Sequence, residues 1–126
     1  MYPDNYQLSN PAVRAEVEKL YGGLVDEVGH TNFEFKITGG DRYLGADGKI
    51  YSSTDNSWIR NSSPSSAHIK SNGSRAVDLR IQLNNKTMDY KIIQRAIKSY
   101  GGSLRYQKGF FPFNYYDGHH HLYIPK

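Results

Sequence analysis

A chain of 126 residues without a single cysteine has no disulfide, no thiolate metal site and no cysteine nucleophile. Its length suits one compact domain, residues 1–126, with a core large enough to fold without staples. Sixteen Lys and Arg against twelve Asp and Glu leave a formal charge of +4, scattered and without the basic run that reads as a nucleic-acid arm.

The first element is a helix over residues 10–28. Ser9 or Asn10 serves as its cap, Pro11 suits its first turn, and Val13, Val17, Leu20, Leu24 and Val28 form one apolar stripe. Gly22-Gly23 is a weak point that leaves room for a break, and Gly29 ends the helix. Strict alternation in Phe33-Glu34-Phe35-Lys36-Ile37 predicts a strand, closed by Thr38-Gly39-Gly40-Asp41. Residues 42–74 then turn to Gly, Ser, Asn, Asp and Tyr, a polar loop long enough to be functional, with Trp58 and Ile59 expected to pack it onto the body.

Ala76 to Leu83 is the second strand. It sets Val77, Leu79, Ile81 and Leu83 toward the core and Ala76, Asp78, Arg80 and Gln82 on the other face. Asn84-Asn85 turns the chain into a helix over 89–100, with Ile92, Ile93, Ala96, Ile97 and Tyr100 inward and Gly101-Gly102 at its end. Extended pieces at 103–107 and 119–124 follow, joined by an aromatic loop from Phe110 to Tyr116. The pattern predicts an α+β fold: a small, mostly antiparallel sheet with helices packed on one face.

In a strand, His119 and His121 of the run His119-His120-His121 project to one face and His120 to the other. Asp78 sits inside a strand, where aspartate is disfavoured. His68 lies in the polar loop. A catalytic zinc takes three His or carboxylate ligands and keeps one position for water. His68, Asp78 and His121 supply such a set, provided the strands of residues 78 and 121 are neighbours.

Ser66-Ala67-His68, Gly73 and Ala76-Val77-Asp78-Leu79 resemble the Ser-x-His-x-x-Gly-x-Ala-x-Asp signature of the D-alanyl-D-alanine carboxypeptidase and peptidoglycan endopeptidase family of zinc metallopeptidases. Asp117-Gly118-His119-His120-His121 is similar to its terminal His-x-His strand. Phe35 to Arg42 is similar to its strand ending in Ser-Gly-x-Arg. The resemblance covers roughly residue 10 to the end. It implies a Hedgehog and DD-peptidase-like fold, Zn2+ held by His68, Asp78 and His121, Arg42 on a substrate carboxylate and Ser66 near the first ligand. Arg60, in the same loop, is the alternative to Arg42. Two departures stand out. Turn-rich residues around 71–74 lengthen the segment between His68 and Asp78, and are expected to bulge without moving either ligand. Gly118 stands where many members carry glutamate, so proton transfer falls to Asp117 or His119.

The expected activity is hydrolysis of peptidoglycan stem peptides, as carboxypeptidase or endopeptidase, by a monomer. The site of action would be the periplasm, cell wall or extracellular space. No stretch approaches the roughly 20 apolar residues of a membrane span, and MYPDNYQLSN lacks the regions of a signal peptide, so the chain reads as a domain excised from a longer one. As a toxin's tip it would meet an immunity protein. Two other readings compete. One is a non-catalytic zinc module that binds cell wall. The other is a basic nucleic-acid-binding protein, supported by eleven tyrosines but by no Arg cluster.

Overall fold

The structure, a computed structural model, describes residues 8–60, 62–101, 113–116 by their backbone, and 119–124. Helix α1 (Pro11–Val28) begins where the Asn10 side chain accepts the Ala12 N–H at 2.9 Å. It ends at Gly29, whose φ of 73° stops the helix. No break occurs at Gly22-Gly23. Gly23 is instead where helix α2 (Tyr90–Ser99) comes closest: a Cβ at residue 23 would stand 3.0 Å from the Ala96 carbonyl oxygen. Asp89 caps α2 through the Lys91 N–H.

The strands are β1 (Phe33–Gly39), β2 (Arg42–Leu44), β3 (Ile50–Ser52), β4 (Ala76–Leu83), β5 (Lys86–Thr87), β6 (Phe113–Tyr116) and β7 (His119–Tyr123). The main sheet has the order β1-β4-β7-β6, with β5 also on β4, and every pairing in it is antiparallel. Alternation puts Phe35, Ile37, Val77, Leu79, Ile81 and Leu122 on one face. The helices bury that face with Val17, Leu20, Leu24, Ile93, Ala96 and Ile97. The class is therefore α+β with helices on one side. Among the described residues no helix is long and apolar enough to cross a membrane.

Three local expectations change. Residues 42–74 are not a plain loop: β2 and β3 pair as a hairpin over them, and Ile50 and Ile69 anchor the segment at 3% and 1% exposure. Trp58 does not pack down, being 48% exposed. Ile50 and Ser52 take the inward positions of β3, so Tyr51 and its antiparallel partner Trp58 face out. Residues 113–116, expected in a loop, form β6, consistent with the strand preference of aromatic side chains. The extended piece expected at 103–107 lies outside the described residues.

Candidate metal centre

The face of β4 away from the helices carries Asp78, and the register of β7 sets His121 directly opposite it. His68 arrives from the loop. His68 and Ile69 stay buried against the body, and the Arg75 N–H closes the segment by donating to the Ala67 carbonyl at 2.6 Å. Residues 70–73 bulge outward, and the chain turns back through Gly73 (φ 99°) and the buried Ser74 (φ 50°). The lengthened segment thus bulges, as expected, while both its ends stay pinned.

One ligand atom each from His68, Asp78 and His121 lies within 4.8 Å of the others, the group of metal-ligating type found among the described residues. His68 Nε2 is 3.3 Å from Asp78 Oδ1, His121 Nε2 3.9 Å, and the His68 and His121 rings are 5.1 Å apart. His119 shares that face, and its Nε2 also stands 3.3 Å from Asp78 Oδ1. Yet no donor among the described residues meets Asp78 Oδ1 with hydrogen-bond geometry, although the atom is buried. Buried carboxylate oxygens are rarely left so.

The neighbouring chain explains why. His68 Nδ1 lies 2.9 Å from the Gly40 carbonyl, which can only accept, so Nδ1 carries the proton. In neutral His68 the lone pair of Nε2 therefore faces the lone pairs of Asp78 Oδ1. Two acceptors 3.3 Å apart repel unless a proton or a cation lies between them. Burial pushes His121 down to about 4, so its imidazole is neutral at ordinary pH, the form a metal requires. Burial raises the Asp78 carboxyl, but a proton carried toward it by His119 or His68 outweighs burial and holds the group below the usual carboxylate range, so a proton and a cation compete for the same space. Two neutral imidazoles and one carboxylate fit the oxygen-and-nitrogen donor set of a catalytic zinc.

Sequence reasoning missed how the β1–β2 corner supports these ligands. Gly39 pairs with Asp78 across a bulge, and a Cβ there would stand 2.5 Å from Asp78 Oδ2. Gly40 orients His68. Arg42 spans Asp78 Oδ2 (3.4 Å) and Ser62 Oγ (2.9 Å), while its N–H donates to the His68 carbonyl at 2.9 Å. A Gly-Gly pair ahead of an arginine was the available signal. Asp41, fully buried, accepts the Ser9 N–H and ties this corner to the start of α1.

Of the remaining expected residues, Ser66 lines the cleft beside His68 and its Oγ accepts the His68 N–H at 3.3 Å. Arg60 is elsewhere: its guanidinium lies 4.9 Å from the Trp58 ring and does not line the cleft. Asp117 lies outside the described residues, as do Phe110 to Pro112 of the expected aromatic wall. Comparison of the chain with known protein families, with curated proteins and with solved structures finds no match.

Proposed function

We propose that this chain is a zinc-dependent peptidase domain of the DD-peptidase-like kind, acting on the stem peptides of peptidoglycan. The observation that carries the reading is the buried Asp78 Oδ1, faced by the Nε2 atoms of His68, His119 and His121 and bonded by none in good geometry. His68, Asp78 and His121 are the ligands in this reading. When bound, zinc lowers the pKa of the water it holds and polarises a scissile carbonyl.

The chain's own groups do the rest. Gly40 keeps the His68 proton on Nδ1 and so leaves Nε2 as a donor of its lone pair. Arg42 holds Asp78 Oδ2, which leaves Oδ1 to the ion. His119 Nε2, at the edge of the site with a side chain 25% exposed, is placed to take and return a proton, a role shared in this proposal with Asp117. The test is digestion of purified peptidoglycan by the wild type and by His68→Ala, with fragment masses measured after metal analysis of the protein. New fragments from the wild type alone are expected. Equal products from both would remove the peptidase reading, and zinc-dependent melting without any cleavage would leave a cell-wall-binding module.

A further inference from the structure

We infer that Asp41 is a positioning residue of the candidate metal centre: its buried side chain locks the two peptide planes that hold His68. This inference rests on the reading of His68 as a metal ligand, and concerns what fixes that imidazole rather than what the site acts on.

The Asp41 side chain bonds none of the three ligands among the described residues, yet the peptide units on both sides of it bond to His68. The Gly40 carbonyl, in the unit before it, accepts the His68 Nδ1 proton at 2.9 Å. The Arg42 N–H, in the unit after it, donates to the His68 carbonyl at 2.9 Å. One plane therefore fixes the ring of His68 and the other fixes its main chain. Each plane is rigid, so only the φ and ψ of Asp41 set the angle between them. Turning either torsion would break one bond or the other. The direction of His68 Nε2 relative to its own backbone thus depends on two torsions of a residue remote in sequence.

Those torsions need an anchor. The two preceding residues are Gly39 and Gly40, where a chain loses the most freedom on folding. Gly39 has no room for a side chain, because a Cβ there would stand 2.5 Å from Asp78 Oδ2. Asp41 carries the first side chain after them, and it has no exposure at all. Its Oδ2 accepts the Ser9 N–H at 3.0 Å, and its carbonyl accepts the Ser53 N–H at 2.9 Å. The residue is held from two directions, by the segment ahead of α1 and by the chain that leaves β3. Opening a buried bond of this kind strands a polar group without a partner, so the anchor resists local motion. An exposed aspartate in the same turn would let the torsions fluctuate. His68 Nδ1–H could then exchange Gly40 for water, and the tautomer that aims the Nε2 lone pair at Asp78 would be lost.

The test follows the His68 proton itself. Long-range 1H–15N NMR of the metal-free protein at mildly alkaline pH, where the ring is neutral, reads the tautomer. Chelator competition for zinc and urea unfolding accompany it. The wild type is expected to show the Nδ1–H tautomer alone. Asp41→Ala should mix the tautomers and weaken zinc binding about tenfold, the lower end of the range for groups that orient a ligand. Asp41→Asn keeps an acceptor for the Ser9 N–H and should restore the single tautomer and most of the affinity. Leu79→Ala is the control, expected to lower stability without moving the proton. An Asp41→Ala protein with one tautomer and unchanged zinc affinity overturns the proposal, and so does equal mixing in Leu79→Ala. If Asp41→Ala does not fold, amide exchange in the wild type decides. The Ser9 and Arg42 amides should open together, and a Ser9 amide that exchanges freely while Arg42 stays protected overturns the proposal. A wild type that binds no zinc, while its His68 tautomer still follows Asp41, would remove the metal reading and leave the positioning role standing.

Discussion

Strand β4 has two unlike faces on one backbone. Val77, Leu79 and Ile81 are at most 1% exposed and belong to the apolar core under the helices, with the buried His120 opposite Leu79. Ala76, Asp78, Arg80 and Gln82 look the other way; Asp78 meets His68, His119 and His121, while Arg80 pairs with Glu34 at the exposed end. The helical face contributes stability through dispersion and the release of water. The opposite face spends some of it: a carboxylate is buried beside His68, whose Nε2 lone pair opposes it when the ring is neutral. Stability and chemistry are thus separated by the two-residue period of a strand, and variants one residue apart should fail in different ways.

The largest expected effect is on the helical side. Leu79→Ala should cost about 3 kcal/mol in urea unfolding, equally with and without zinc, while zinc stoichiometry is kept. A cost below about 1 kcal/mol would contradict the close packing described for this face. Next comes its neighbour. Zinc at a hundred times its dissociation constant should stabilise the wild type by about 2.7 kcal/mol, read as a rise in melting temperature. Asp78→Asn should show no such rise, and a retained one would remove Asp78 from the ligand set.

Gly39→Ala sharpens the contrast from outside β4. The added methyl collides with the Asp78 carboxylate and should weaken zinc binding about 10- to 100-fold, the range of other supporting-shell changes. Competition with a colorimetric chelator measures it, and unchanged affinity would show that the corner does not position Asp78. Asn10→Ala removes the cap of α1 and should cost about 1 kcal/mol in thermal unfolding with zinc affinity intact. A coupled loss of zinc would mean that the tie from Ser9 to Asp41 transmits to the site. Smallest of all, breaking the exposed Glu34–Arg80 pair by Glu34→Ala should alter stability by no more than about 0.5 kcal/mol.

Much of this was readable in the linear chain because it depends on short-range periodicity. The stripe from Val13 to Leu24 sets α1, and the alternation from Ala76 to Leu83 already divides Asp78 from Leu79. The same period puts His119 and His121 together and His120 apart, and donor types together with the family resemblance singled out His68, Asp78 and His121. Residues distant in sequence meet through pairings that no local pattern encodes. The register that sets His121 opposite Asp78, the hairpin inside 42–74, and the roles of Gly39, Gly40 and Arg42 around the ligands all depend on which strand edge a segment joins. Arg42 and Arg60 look alike as loop arginines, and only their neighbours in space separate one at Asp78 from one over Trp58. Side-chain periodicity comes from the geometry of a single backbone, whereas register and loop placement come from the packing of the whole molecule.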